Sequence, residues 1–262
     1  MRYPRHVRWI AALGAAVALA ACSADPTPTA TPAPTPTATP APTPEGTPTP
    51  ALPAGAVSVS LGASQDATLI DDPDSARANG AGEYLFVGVT GQPQARRTLI
   101  AFDIAGGIPA GATVLSAELT LEMSRTGNPF FANVMALHRL TGSWGEGASD
   151  PLLNEGFGDD AVPGDATWAH RTFDDQRWDT PGGDFVSSAS ATLEVARLGA
   201  HTWRSTDAMV ADVQAWLDDP GSSHGWAIVG DEVERRGVKR FDSRENADET
   251  ARPVLTVVYV PA

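Results

Sequence analysis

Over residues 55–262 the apolar positions recur mainly with a period of two, the repeat of a strand whose alternate side chains face a core. The clearest case is "AELTLEM", where Ala117, Leu119, Leu121 and Met123 fall on one face and Glu118, Thr120 and Glu122 on the other. The same pattern predicts strands in "VSVSL" (57–61), "YLFVGV" (84–89), "RTLIAFDI" (97–104), "TVLSAELTLEM" (113–123) and "NVMALHRL" (133–140). It continues through "ATLEVARL" (191–198), "GWAIVG" (225–230), "VKRFDS" (238–243) and "VLTVVYV" (254–260). One segment changes period. In "TDAMVADVQAWLDDPG" Met209, Val210, Val213, Trp216 and Leu217 recur at helical spacing, Thr206 or Asp207 can cap the start, and Pro220-Gly221 ends it. Many strands and one short helix predict an all-β fold, a jelly-roll β-sandwich with one short helix. Alternating βαβ units are absent, which argues against a nucleotide-binding α/β fold.

The N-terminal pattern is different. Arg2, Arg5 and Arg8 precede "WIAALGAAVALAA" (9–21), an apolar run shorter than the roughly 20 residues a membrane-spanning helix needs. Residues 1–21 therefore read as a signal peptide. Leu19-Ala20-Ala21-Cys22 resembles the lipobox of bacterial lipoproteins, which implies cleavage before Cys22, the chain's one cysteine, and lipidation of its thiol. The mature chain would then carry no disulfide and depend on core packing. Residues 22–54 join this lipidated cysteine to a Pro/Thr-rich linker, and the stretch 26–53 holds half of the chain's prolines. Such a segment buries almost nothing and favours extended polyproline II, a disordered spacer of roughly 80 Å at about 3.1 Å per residue. The expected location is extracytoplasmic, with a bacterial membrane held through the lipid on Cys22 alone. Residues 55–262 remain as one folded domain.

Charge narrows the partners. The chain has 18 Lys and Arg against 32 Asp and Glu, a formal charge of −14, and removing Arg2, Arg5 and Arg8 leaves about −17. A surface this acidic argues against nucleic acid or anionic lipid as a partner. Only "QARR" (94–97) and "ERRGVKR" (234–240) are dense in basic residues.

Signs of catalysis are few. There is no G-x-S-x-G turn, and His138, His170, His201 and His224 stand in unrelated contexts without the i, i+4 spacing of a helical zinc site. No organic cofactor is implied. Asp71, Asp72 and Asp74 offer clustered oxygen ligands for a structural calcium, although the spacing and glycine of an EF-hand are missing and a solvated turn is the plainer reading. Tryptophans are more suggestive. Trp144, Trp168 and Trp178 lie in polar, Gly-rich segments, where a ring either plugs the end of a β scaffold or stacks on a sugar. As a ligand surface, Trp168 and Trp178 would act with Arg171 and Arg204.

Several motifs occur in order: "YLFVG…RRTLIAFDIAGGIPAGATVLSAELTLEM", "HRLTGSWGEG", "ATWAHRTFDDQRWDTPGGDF", "VQAWLDDPGSSHGWAIVG" and "FDSREN…RPVLTVVY". This succession resembles the DNRLRE domain of bacterial secreted proteins, across nearly all of residues 57–260. The resemblance implies a jelly-roll domain similar to carbohydrate-binding modules, non-catalytic, with polysaccharide, in some relatives acidic, as its ligand; a monomer is expected. It matches Arg97 and Asp103 in one strand, Ser243, Arg244 and Glu245 in "FDSREN", and Trp168, Trp178, Gly182 and Gly183 in the tryptophan-rich segment. Two alternatives stay open, an adhesion module for a protein or envelope partner and, below it, a polysaccharide lyase or hydrolase. Within "RFDSREN" a continued strand would point Arg244 and Glu245 to opposite faces, while Arg97 and Asp103 share one. The expected role is structural, with Arg244 or Glu245 paired to Arg97 or Asp103.

Overall fold

The structure, a computed structural model, describes residues 52–152 and 155–262. The expectations for the signal peptide, Cys22 and the linker up to residue 51 lie outside them. Among the described residues no helix is long and apolar enough to cross a membrane.

The strands come in chain order as β1 (Val57–Ile70), β2 (Arg77–Asn79), β3 (Tyr84–Val89) and β4 (Ala95–Phe102). A single-turn helix α1 (Ile104–Gly107) leads to β5 (Thr113–Thr126) and β6 (Asn133–Arg139). Three short strands follow, β7 (Asp159–Asp160), β8 (His170–Thr172) and β9 (Gln176–Arg177), and then β10 (Ala191–Val195) and β11 (Gly199–Trp203). Helix α2 (Asp207–Asp218) precedes β12 (Trp226–Val229), β13 (Lys239–Asp242) and β14 (Val254–Val260).

Strand β1 is long enough to belong to two surfaces. Its first half pairs with β14, from Val57 opposite Tyr259 to Gly62 opposite Val254. A bulge at Ala63 to Gln65 then bends it, and its second half pairs with β4 as far as Ile70 opposite Arg96. From β14 the ladder runs to β5, then β13, then β3, whose end returns to β4 at Gly88 opposite Arg96. The antiparallel path β1–β14–β5–β13–β3–β4–β1 therefore closes. Outside the ring, β12, β6 and β10 extend from β4, and β11 extends from β5. The all-β expectation agrees with this arrangement. The sheet is barrel-like, and a two-sheet jelly roll is not clearly drawn by it. Among the described residues there are also two α-helices where one was expected, because α1 is a single turn fixed by its cap rather than by apolar spacing: Gly106 N donates to Asp103 Oδ1 at 2.8 Å.

Inside the ring, Ala117, Leu119, Leu121 and Met123 of β5 meet Trp203, Trp226 and Phe241 in the main core. Helix α2 covers it with Met209, Val213, Trp216 and Leu217, and Thr206 Oγ1 caps the helix by accepting from Met209 N at 3.0 Å. Strand β4 does not alternate in burial, because both of its faces are covered. Ile100 and Phe102 enter the main core, while Leu99 and Ala101 enter a second cluster with Leu69, Trp144 and Trp178. The long polar loops between β6 and β10 supply those two tryptophans and so close the second face.

Candidate functional site

On the outer side of β3, β5 and β13 lies a cleft of about 450 Å³. Alternation places Tyr84 and Phe86 of β3 on this side, with Leu85 and Val87 buried behind them. On β13, Lys239 and Phe241 go inward and Arg240 goes outward, opposite Phe86. Arg125 has the same parity as the buried Met123 and would point into the core. A bulge intervenes: Arg240 pairs with Arg125 and Phe241 with Met123, so Ser124 is skipped and Arg125 turns out to the cleft. Arg236 lines the far end beside Thr90.

The Arg240 guanidinium lies 3.7 Å from the centroid of the Tyr84 ring, and its Nε donates to Ser124 Oγ at 3.1 Å. Its terminal nitrogens have no ion-pair partner among the described residues. The opposite wall is the 3-10 turn Glu155–Phe157. This turn is held down by buried Arg96, whose Nε donates to Gly156 O at 2.6 Å. Glu155 Oε2 accepts from Tyr84 N at 2.9 Å, and burial raises its pKa. Phe157 is 55% exposed and Leu152 85%, both on the cleft wall. Three arginines, three aromatic rings and one carboxylate thus share one opening on an acidic protein.

A second group of charges is closed instead of open. Carboxylate oxygens of Asp66, Glu146 and Glu245 lie within 4.8 Å of one another. Arg244 binds Glu146 in a fork, Nε to Oε1 at 2.7 Å and Nη2 to Oε2 at 2.8 Å, and its Nε is 2.9 Å from Glu245 Oε1. Its backbone N donates to Asp66 Oδ2, and Asp66 N donates to Glu146 Oε1, each at 2.8 Å. Asp66 is 1% exposed; burial, then the Glu245 charge, holds its carboxyl well above the usual range. Burial likewise raises Glu245, whose Oε2 is enclosed without a hydrogen-bond partner. Three carboxylates against one guanidinium favour one further positive charge. The oxygens suit a hard cation, but Arg244 already spans two of the three groups, and a proton on Asp66 or Glu245 answers both raised carboxyls.

The sequence-predicted residues are distributed otherwise than expected. Arg244 and Glu245 do not pair with Arg97 or Asp103. Beyond Asp242 the chain leaves β13 in a turn, so strand alternation no longer applies, and the neighbouring pair Arg244–Glu245 bridges itself. Arg97 pairs with Glu232, Nε to Oε1 at 2.7 Å, and Asp103 caps α1. Trp178 is 5% exposed, with Nε1 donating to Thr167 O at 3.0 Å, so its ring is a plug. Trp168 is half-buried under the Arg97 guanidinium, 4.7 Å from the ring. Arg171 folds back on Ser143, its Nε donating to the carbonyl at 2.7 Å, and Arg204 is exposed beside buried Trp203. These four do not line the cleft. Asp71, Asp72 and Asp74 occupy a turn, and the carboxylates that converge lie elsewhere. Asp72 Oδ2 accepts from Ala76 N at 3.2 Å. Burial lowers the pKa of Arg96 to about 10, against the pull of Asp71 and Asp72.

Sequence reasoning missed Arg125, Glu146 and Glu155. It did mark "ERRGVKR" as one of two dense basic segments, and Arg236 and Arg240 of that segment line the cleft. No family model matches the chain, and no curated protein matches it either.

Proposed function

We propose that this protein is a surface-tethered, non-catalytic module that binds polysaccharide in the Tyr84–Arg240 cleft, held to a bacterial membrane by a lipid on Cys22. The observation that carries the reading is the cleft's composition. On a chain of formal charge −14 it gathers Arg125, Arg236 and Arg240 beside Tyr84, Phe86 and Phe157. Aromatic faces stack on the C–H faces of sugar rings, and guanidinium forks bind carboxylate or sulfate groups. A DNRLRE-type jelly-roll domain, with acidic polysaccharide as ligand, is the family reading consistent with this. The cleft takes the place of Trp168 and Trp178 as the ligand surface.

Affinity electrophoresis against a panel of neutral and acidic polysaccharides tests the reading. Retardation is expected on acidic polymers, weakening with salt and lost in an Arg240→Ala variant of unchanged Tm. Migration unaltered by every polymer would overturn it. A second reading, adhesion to a protein partner, draws on the exposed Leu152 and Phe157 at the rim. Its mark would be capture of an envelope protein that soluble glycans do not displace. Hydrolase chemistry ranks below both, since glycoside cleavage uses two carboxylates and, among the described residues, Glu155 is the one carboxylate lining this cleft.

A further inference from the structure

Strand pairing sets two of the cleft arginines side by side. Arg240 of β13 and Arg125 of β5 are direct Cα partners, and both line the cleft. Without the bulge Arg125 would keep the inward parity of Met123, so the bulge is what brings the second arginine to the first. Like charges directly opposite each other on neighbouring strands cost stability. No ion pair offsets that cost, since neither arginine has such a partner among the described residues. Glu155 accepts from Tyr84 N, while Asp242, two positions beyond Arg240, is buried, and burial raises its pKa. The two guanidinium groups differ in freedom. Arg240 is pinned on the Tyr84 ring at 3.7 Å and by its Nε on Ser124 Oγ at 3.1 Å, with no ion pair on its terminal nitrogens. Arg125 is exposed, and its Cα stands about 5 Å across the ladder, so it can reach an anion held on Arg240.

We infer, on the reading that the cleft binds polysaccharide, that Arg125 and Arg240 form one oxyanion site for a tetrahedral ester on the sugar, sulfate or phosphate, in preference to a uronate carboxylate. A carboxylate offers two oxygens in one plane, and a single guanidinium fork satisfies both. A tetrahedral ester offers three terminal oxygens. Two of them fill the fork of pinned Arg240, and the third is left for Arg125. Bridging the pair also replaces the repulsion between the arginines by attraction of each to the shared anion, which a group bound to one fork alone does less well.

Three derivatives of one neutral polymer test this: dextran sulfate, phosphorylated dextran and carboxymethyl dextran, matched in length and total charge. The full chain is expected to bind the sulfate or the phosphate ester about tenfold more tightly than the carboxylate, and the tighter of the two names the group. Arg125→Gln should abolish that preference, lowering ester affinity about tenfold and carboxylate affinity less than about threefold. Arg236→Gln removes the same charge from another part of the cleft wall and should weaken all three polymers alike. Without ligand, Arg125→Gln should match or exceed the wild-type Tm, because a repulsion is relieved. The inference is overturned by equal affinity for the three derivatives, by binding of none, or by tighter binding of the carboxylate. It is overturned equally by a preference that survives Arg125→Gln, by the same loss in Arg236→Gln, or by a lowered Tm in Arg125→Gln. The module reading itself falls only if the wider panel of neutral and acidic polysaccharides is unbound as well.

Discussion

One short stretch, "RFDSREN" (240–246), supplies an arginine to each of two regions that treat it oppositely. Arg244 is tied up by carboxylates: its Nε and Nη2 go to Glu146, its Nε also lies beside Glu245, and its backbone N binds Asp66. Arg240, four positions earlier, rests on Tyr84 with only its Nε engaged, by Ser124. The first arrangement ties together segments far apart in the chain, since Asp66 and Glu146 are 80 positions apart. The second holds a guanidinium in a fixed plane and leaves its fork for something outside. Having charged side chains is therefore no guide to function here; whether their hydrogen bonds are already used is the guide.

The largest effect expected from breaking this contrast is on stability. Arg244→Met leaves Asp66, Glu146 and Glu245 facing one another without their shared cation. Loss of one partner from a fully buried pair costs about 3–5 kcal/mol. Arg244 is 36% exposed, so about 2–3 kcal/mol is expected here. Urea unfolding followed by tryptophan fluorescence should show it, while polysaccharide affinity per folded molecule stays unchanged. A stable variant that no longer binds would exchange the roles of the two arginines.

Arg240→Ala is the converse. It removes a stacked, half-exposed guanidinium with no ion-pair partner within 4 Å among the described residues, so unfolding should shift by less than about 1 kcal/mol. Binding of an acidic polymer should fall at least tenfold, from the loss of hydrogen bonds worth about 1.5–3 kcal/mol. Comparable losses of stability and binding would mean that Arg240 only holds β13 to β3.

How far this contrast could be read from the sequence depends on backbone parity. Alternation alone puts Arg240 outside, with Lys239 and Phe241 inside, and it gives the inward face of β5 correctly from Ala117 to Met123. Parity fails wherever the backbone departs from a plain strand. The bulge at Ser124 turns Arg125 outward, and the turn after Asp242 lets Arg244 and Glu245 face each other. Long-range partners have no local signature. Glu146 sits in "SWGEG" and Glu155 in a loop between masses of other acidic residues, and nothing in their neighbours marks either one. The tryptophans stayed ambiguous between plug and sugar platform for a related reason. Their polar, Gly-rich surroundings look like an exposed surface, but such loops need buried anchors when they cover a second face of β4, as Trp144 and Trp178 do.

A smaller effect separates the two regions by pH. In the folded state Asp66 and Glu245 hold their protons more tightly than in the unfolded chain, because burial disfavours their charged forms. That contribution to stability is fully present below the unfolded carboxylate range, near pH 4, and is lost as pH rises through the raised folded values. Asp66→Asn keeps an oxygen for Arg244 N and cannot ionise. Its Tm should exceed that of the wild type at pH 7 and converge with it near pH 4. A lower Tm at pH 7 would show that the Asp66 charge is needed.

The smallest expected effect distinguishes a proton from a metal ion in the closed cluster. Were Ca²⁺ the missing positive charge, a millimolar addition at pH 7 would stabilise the protein by mass action, by about 2.7 kcal/mol at a hundredfold excess over its dissociation constant. With Arg244 spanning Glu146 and Glu245, little room is left for the six to eight oxygen ligands calcium takes. The Tm should therefore move by less than about 1 °C on adding Ca²⁺ or EDTA, in wild type and Arg240→Ala alike. A rise of several degrees that Asp66→Asn abolishes would make the closed region a metal site, leaving the open cleft alone as the place where ligands and arginine meet.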